Sequence, residues 1–194
     1  MLQTTTRQKV IDAALTLFTK QGYDQTSLAE VGRLSGVSHG SIFHHFGSKD
    51  GVGIEVYLLE RRTYWEAAVT ALEADHADPV AAIGAAIRAT LRYQEAYPHR
   101  HNFMIECASS DWMSRHSDPV RALNAEFEAR FVAWAIPWLA DGKLPLAPPE
   151  VFAALVFGPS QWIARSWLTS LTADPPTAYE DALVALVSRC FMVP

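Results

Sequence analysis

The first fifty residues repeat apolar side chains with the period of an α-helix. The apolar face of a predicted first helix, spaced by three and four residues, is formed by Val10, Ala13, Ala14, Leu17 and Phe18. Gly22 stands where a left-handed glycine commonly ends a helix. Ser27 and Glu30 then have the spacing of a capping box, so a second helix is predicted to begin just after Ser27.

A very short third helix is predicted after a tight turn. Gly36 permits the turn, Ser38 can cap the helix, and the helix itself runs from about His39 to His45. Ser48 then caps a fourth helix. Two helices joined by a tight turn, with the second one short and exposed, are typical of a helix-turn-helix that reads the DNA major groove. A simple helical hairpin without a DNA-binding role would have the same periodicity.

The rest of the chain is predicted to consist of helices separated by proline-rich breaks. The expected helical segments run from Lys49 to about Ala74, from Asp78-Pro79 to Tyr97-Pro98, from His99 to Ser109, from Asp118-Pro119 to Ala140, from Glu150 to Leu171 with an interruption at Gly158-Pro159, and from Pro176 to Phe191. Strand-like alternation is absent from the sequence. We therefore expect an all-α protein, with a three-helix helix-turn-helix head at residues 1–48 and a larger helical body at residues 49–194.

Charge is divided unevenly between these two parts. The net charge of the whole chain is −5, but residues 1–50 carry five basic and four acidic side chains, whereas the remainder carries 11 basic and 17 acidic ones. The head is thus weakly positive, and oriented local contacts are expected to contribute much of any DNA affinity.

Neither a membrane span nor a secretory leader is expected. The chain has no apolar run of 18 residues, and its N-terminus lacks an apolar segment, so a cytoplasmic location is predicted. The two cysteines, Cys107 and Cys190, are then interpreted as free thiols that fill the core.

Specific residues in the head support the helix-turn-helix prediction more strongly than helical periodicity alone does. They are Ala13-Ala14, Phe18, Gly22-Tyr23, Thr26-Ser27, Val31-Gly32, Ser35-Gly36-Val37-Ser38, Gly40-Ser41-Ile42-Phe43 and Phe46-Gly47-Ser48-Lys49. With this spacing, the segment strongly resembles the DNA-binding head of the TetR family of bacterial transcriptional regulators. The family usually has Ile-Ala at Val31-Gly32, Ala at Ser35 and Tyr at Phe43. The last departure removes a hydroxyl that could bind a phosphate.

The resemblance implies DNA-contacting roles for nine positions. Phosphate contacts are expected from Thr26, Ser27 and Lys49, through side chains or helix N-termini. Base edges or nearby phosphates are expected to face Ser38, His39, Gly40, Ser41 and His44. Phe43 is expected to make only apolar contact with sugar or a thymine methyl group.

The resemblance also implies an effector pocket and a dimer interface in the body. Candidate pocket residues are Phe103, Met104, Cys107, Trp112, Phe131, Trp134 and Trp138. An ordinary packed core is the alternative interpretation of these side chains. The last two helices are expected to pair with a second copy as a four-helix bundle, through Trp162, Leu183, Leu186 and Phe191.

Two other classes of function remain open from the residues alone. A helical enzyme with a metal site could use His99, His101, Glu106, Cys107 and His116, but their spacing matches no closed zinc pattern, so no metal or other cofactor is expected. A helical interaction module that does not bind DNA would leave the capped turn unexplained.

The favoured interpretation is a homodimeric repressor that an apolar or aromatic effector releases from a pseudo-palindromic operator in double-stranded DNA. Helix 4 is expected to be the only continuous backbone link between head and body. Gly51 and Gly53 in its first turn are expected to act as a hinge that responds to the effector.

Overall fold

The computed structural model describes residues 5–74 and 76–192, and this part of the chain contains helices and no strand. The helices are α1 (Thr6–Gln21), α2 (Leu28–Ser35), α3 (His39–Phe46), α4 (Lys49–Glu73), α5 (Pro79–Ala96), α6 (Pro98–Ala108), α7 (Asp111–Ser114), α8 (Ser117–Ala140), α9 (Pro149–Leu168), a 3-10 helix (Pro176–Tyr179) and α10 (Glu180–Arg189). The all-α prediction is confirmed. The short α7 had not been predicted.

The chain divides into two compact units. The head unit contains the residues up to Arg61 together with His99–Arg121, and the body unit contains Arg62–Pro98 together with the residues from Ala122 onwards. The backbone therefore passes between the units at three places: within α4, at the start of α6 and near the start of α8. The expectation that helix 4 is the only backbone link was wrong. The functional division into residues 1–48 and 49–194 stays a prediction.

Aromatic side chains of α6 and α7 complete the core of the head unit. The ring of Phe103 stacks on Phe18 of α1, with 5.6 Å between centroids, and Trp112 stacks on Tyr23 at 4.5 Å. All of these side chains except the half-buried Tyr23 are at most 7% exposed. Aromatic pairs of this kind add about 0.5–1.5 kcal/mol beyond the area they bury. The three head helices alone would lack these contacts.

Close packing around the first turn of α4 explains its two glycines. A Cβ atom at Gly51 would lie 1.9 Å from the carbonyl oxygen of Phe46, and one at Gly53 would lie 2.7 Å from the Tyr23 ring. The helix is continuous through both positions. The glycines therefore let α4 approach α3 and the aromatic core, and the expectation that they form a hinge is not supported.

The core of the body unit is formed mainly by α5, α9 and α10, together with buried residues of α4 and α8. Ile83, Ile87 and Leu91 project from α5 into it and are fully buried. The α9 helix continues through Pro159, so the predicted interruption at Gly158-Pro159 was wrong. Proline removes one backbone donor from the helix, and α9 stays continuous without that hydrogen bond.

Replacing Gly51 with Ala should lower the free energy of unfolding by about 3 kcal/mol, because a backbone oxygen occupies the space that the new methyl group needs. Gly40→Ala is the matched control, since no atom lies within 4 Å of a Cβ at this helical position. Its stability should stay within about 1 kcal/mol of wild type. Chemical denaturation measures both. Equal stabilities of the two variants would contradict the close approach of α4 to α3.

Candidate DNA-binding surface

The α3 helix is held at one side and exposed on the other. Ser38 caps it by accepting a hydrogen bond from the backbone amide of Ser41 at 3.3 Å. Ile42 is fully buried and anchors the helix to the head, whereas Phe43 is 58% exposed. His39, Gly40, His44 and His45 are exposed as well, and Ser41 is half-buried. The exposed side therefore presents small, polar and aromatic groups that can meet the edges of bases.

The α2 helix fixes the position of this surface. Its capping box is complete, since the Glu30 carboxylate accepts the Ser27 amide at 2.8 Å and the Ser27 hydroxyl accepts the Glu30 amide at 3.2 Å. The Ser27 amide, followed by its hydroxyl, lowers the pKa of Glu30. At the other end, Gly36 adopts a left-handed conformation with φ of 68°. A Cβ at Gly32 would lie 3.0 Å from the Val37 carbonyl oxygen, so the turn packs tightly on α2.

Thr26 does not offer its side chain to a phosphate. It is 3% exposed, and its hydroxyl donates to the Gly22 carbonyl at 2.9 Å. Its backbone amide donates to Tyr23. The predicted phosphate contact from Thr26 is therefore corrected: both of its donors are used to close the loop between α1 and α2. Ser27 differs from Thr26 in being exposed at the N-terminus of α2, where amides favour anions, but its own amide and hydroxyl both donate to the Glu30 carboxylate at 2.8 Å.

Lys49 lies at the start of α4, beside the same loop. Its ammonium group donates to the Asp24 carbonyl at 3.2 Å and lies 4.3 Å from the centroid of the Tyr23 ring. A cation over an aromatic face is attracted by the ring quadrupole. Lys49 is only half-buried, so its charge remains available to a phosphate.

An interaction that the sequence did not indicate links this loop to the end of α7. The Tyr23 hydroxyl donates to one oxygen of Asp50 at 2.6 Å, and Arg115 donates to the other oxygen at 2.9 Å. Burial alone would raise the pKa of Asp50, but the hydrogen bonds from Tyr23 and Arg115 and the charge of Arg115 lower it. Burial and the hydrogen bond to Asp50 raise the pKa of Tyr23, so its hydroxyl stays protonated and donates.

The predicted effector residues fall into two groups. Phe103, Met104, Cys107 and Trp112 are buried in the head unit, and Phe131, Trp134 and Trp138 are half-buried in the body unit. Cys107 and Trp112 line a cavity of about 380 Å³. Trp134 and Trp138 line an open cavity of about 620 Å³ with Pro137 and two carboxylates, Glu73 and Asp141. The four residues of the head unit also form its core, as the alternative interpretation expected.

The predicted interface residues also separate into two kinds. Trp162 is 68% exposed and Leu186 is 61% exposed. Leu183 and Phe191 are 8% and 1% exposed and belong to the core of the body unit. These last two side chains are corrected to core residues, because the chain's own helices already cover them.

The five residues of the alternative metal site do not converge. Within the described residues, no group of three or more His, Cys, Asp or Glu side chains could hold a metal ion. Burial lowers the pKa of His101 to about 4 and raises the pKa of Cys107 to about 12. Both groups are therefore neutral at physiological pH.

No helix in the described ranges is long and apolar enough to cross a membrane.

Comparison with known proteins gives a consistent result. A family model described as bacterial regulatory proteins, tetR family, matches residues 10–56. The transcriptional regulator AcrR of Shigella flexneri is 39% identical over 61 residues, which are 31% of this chain and only 28% of AcrR. The transcriptional regulator RutR of Escherichia coli strain K12 is 28% identical over 161 residues, which are 81% of this chain and 73% of RutR.

The overall fold also matches solved structures. The transcriptional regulator FadR of Bacillus subtilis, solved in complex with stearoyl-CoA, aligns with a TM-score of 0.76. The alignment covers 93% of this chain and 96% of FadR at 14% sequence identity. At this identity the likeness concerns the fold.

The capping box makes a prediction about the titration of Glu30. Its folded pKa is lowered, so its contribution to stability is present above the ordinary carboxyl pKa and is lost as the pH falls through the lowered value. In Ser27→Ala the backbone amide still donates but the hydroxyl is gone. The pKa of Glu30, followed by NMR, should therefore rise part of the way towards its ordinary value. Ser38→Ala removes the cap of α3 instead, and should leave the Glu30 titration unchanged; a Glu30 titration that is the same in both variants would contradict the box.

Proposed function

The chain belongs to the TetR family of bacterial regulatory proteins, and on this premise we propose that it is a homodimeric repressor which a small effector releases from its operator. As a member of this family it is a DNA-binding transcriptional regulator and not an enzyme. The exposed side of α3 is the observation that carries the proposal. The capped turn holds this helix against the head through Ile42 and leaves His39, Gly40 and His44 exposed.

The size of α3 supports a palindromic operator. With eight residues, the helix reaches the bases of only one short half-site. Two copies related by a twofold axis would read two half-sites about 34 Å apart, and linking the two contacts raises affinity well above that of one head. At each half-site, Ser27 and Lys49 would position the head on phosphates, while Ser38, His39, Gly40, Ser41 and His44 face the bases.

An apolar stripe on α9 supports the homodimer. Exposed residues recur along one face of this helix at spacings of four, three and four: Val151 and Leu155 at 47% and 39% exposure, then Gly158, then Trp162. Leu186 on α10 adds a further exposed apolar side chain. Large apolar groups gathered on one face are uncommon on the surface of a monomer and are typical of an interface. We propose that this stripe meets the same stripe of a second copy.

The body unit supports an apolar or aromatic effector. Trp134 and Trp138 give the 620 Å³ cavity two large aromatic surfaces, and this volume is sufficient for a small organic molecule. Glu73 and Asp141 also line this cavity, but each is paired with a basic side chain, Arg130 and Lys143 respectively, so the aromatic surfaces carry the proposed ligand contact. Release from DNA requires that the effector favour a form with lower operator affinity, a coupling of about 1–3 kcal/mol in comparable systems.

Selection of bound genomic fragments followed by anisotropy titration tests the proposal. Lys49→Ala should weaken binding to every fragment and reduce the slope of log affinity against log salt by about one, because one phosphate contact is lost. Lys143→Ala is the control and should leave both quantities unchanged in titrations without effector. Lys143 lies in the body unit, where it contacts Asp141 and Trp138 of the proposed effector cavity. Failure of the wild-type protein to bind any duplex would refute the function. Unchanged binding by Lys49→Ala would remove only this contact.

The dimer is tested by sedimentation velocity at micromolar concentration. Trp162→Glu and Leu186→Glu should shift the protein to monomer, because each places an unpaired charge in a desolvated interface at a cost of several kcal/mol. Leu146→Glu is the control, since Leu146 is 91% exposed and lies in the loop before α9. It should remain dimeric. A wild-type monomer, or a dimer that both interface variants preserve, would exclude this interface.

A further inference from the structure

We propose that Arg115 is a positioning residue for DNA binding, which acts through Asp50 and Tyr23 to hold Lys49 in place for a phosphate contact. Arg115 follows α7 and is distant in sequence from the helix-turn-helix. The inference rests on the proposed function, because it assumes that Lys49 contacts DNA. Arg115 lies outside the residues that the family resemblance assigns to DNA contact, so the inference adds a further residue on which DNA affinity depends.

The Asp50 carboxylate bridges Tyr23 and Arg115. One of its oxygens accepts the Tyr23 hydroxyl at 2.6 Å, and the other accepts the Arg115 guanidinium at 2.9 Å. Asp50 is half-buried in the first turn of α4, where the helix dipole also favours a negative charge. With both oxygens engaged by charged or strongly polarised donors, the carboxylate has a defined orientation.

Asp50 is linked to Lys49 through the Tyr23 side chain. The two residues are neighbours in the first turn of α4. The Tyr23 ring, held by its hydrogen bond to Asp50, lies 4.3 Å from the Lys49 ammonium. The Asp24 carbonyl accepts a hydrogen bond from that ammonium at 3.2 Å. Arg115 thus restrains the lysine through Asp50 and the aromatic surface beneath its charge.

The positioning role of Arg115 is distinct from a role in folding. The Arg115 side chain is 61% exposed, and exposed ion pairs contribute about 0–1 kcal/mol to stability. Without Arg115, the Tyr23 ring can still stack on Trp112, so the core of the head unit is retained. The Asp50 carboxylate, however, loses its charged donor and is free to rotate away from the Tyr23 hydroxyl. Loss of Arg115 should therefore loosen the lysine while the head unit stays folded.

The test compares operator affinity and its salt dependence in full-length variants. The probe is a duplex selected by the wild-type protein, followed by fluorescence anisotropy. Arg115→Gln should weaken binding by about fivefold and move the salt slope towards that of Lys49→Ala, because the phosphate contact becomes less populated. In the Lys49→Ala background, Arg115→Gln should cause no further loss. Arg115→Lys should recover part of the affinity, since it restores one charged donor to Asp50.

The matched control is Arg121→Gln, which removes the same charge from the head unit. Arg121 contacts only the nearby Ser117 and Asp118 in the described structure, and its side chain is 68% exposed. Its removal should leave the salt slope unchanged. If Arg115→Gln and Arg121→Gln have equal effects, or if Arg115→Gln still weakens binding in the Lys49→Ala background, the positioning role is wrong.

Failure of the proposed function and failure of the positioning role give different results. If the wild-type protein binds no duplex, the proposed function fails. If it binds and Lys49→Ala weakens it while Arg115→Gln does not, only the positioning role fails. Thermal unfolding accompanies each variant. An unfolded Arg115→Gln would contradict the separation of this role from folding. Tyr23→Phe tests the next link of the chain: it keeps the ring but removes the donor to Asp50, and should lower the affinity and the salt slope in the same direction.

Discussion

The packing of α6 and α7 against α1 and the loop that follows it is the constraint on which the rest of the head depends. Phe103 stacks on Phe18, and Trp112 stacks on Tyr23. The two helices of the helix-turn-helix have only eight residues each, and α3 has one fully buried anchor, Ile42. The additional aromatic contacts fix the loop that supports α4 and Lys49. A defined DNA-contacting surface therefore requires residues that lie fifty or more positions beyond the helix-turn-helix.

This arrangement changes how effector control is understood. The sequence suggested a flexible glycine turn at the start of α4, but Gly51 and Gly53 are positions of close packing. Cys107 and Trp112 line a cavity within the head unit itself, next to the loop that contains Tyr23 and Asp24. The segment from His99 to Arg121 is thus part of the folded unit that would contact DNA, and two further backbone connections link that unit to the body.

Local patterns predicted local structure well. The helix caps at Ser27 and Ser38, the left-handed glycine at Gly36 and the helical content could be read from spacing, because each depends on neighbours within four residues. Side-chain burial was less predictable. Thr26, Leu183 and Phe191 are assigned to surfaces by the resemblance to the family, but the chain's own tertiary contacts bury them. Arg115 had no signal at all, since its partner Asp50 is distant in sequence. Pro159 misled because an internal proline costs a helix one hydrogen bond without necessarily ending it, as α9 shows.

The central claim is that α3 and the first turn of α4 form the DNA-contacting surface. Backbone amide shifts of the full-length protein, measured by NMR during titration with a selected operator duplex, test it most directly. We expect the largest changes at Ser27, at Ser38–His45 and at Lys49, with smaller changes extending to Arg115 through Asp50. Largest changes on α5 or α9, with the α3 amides unmoved, would contradict the account.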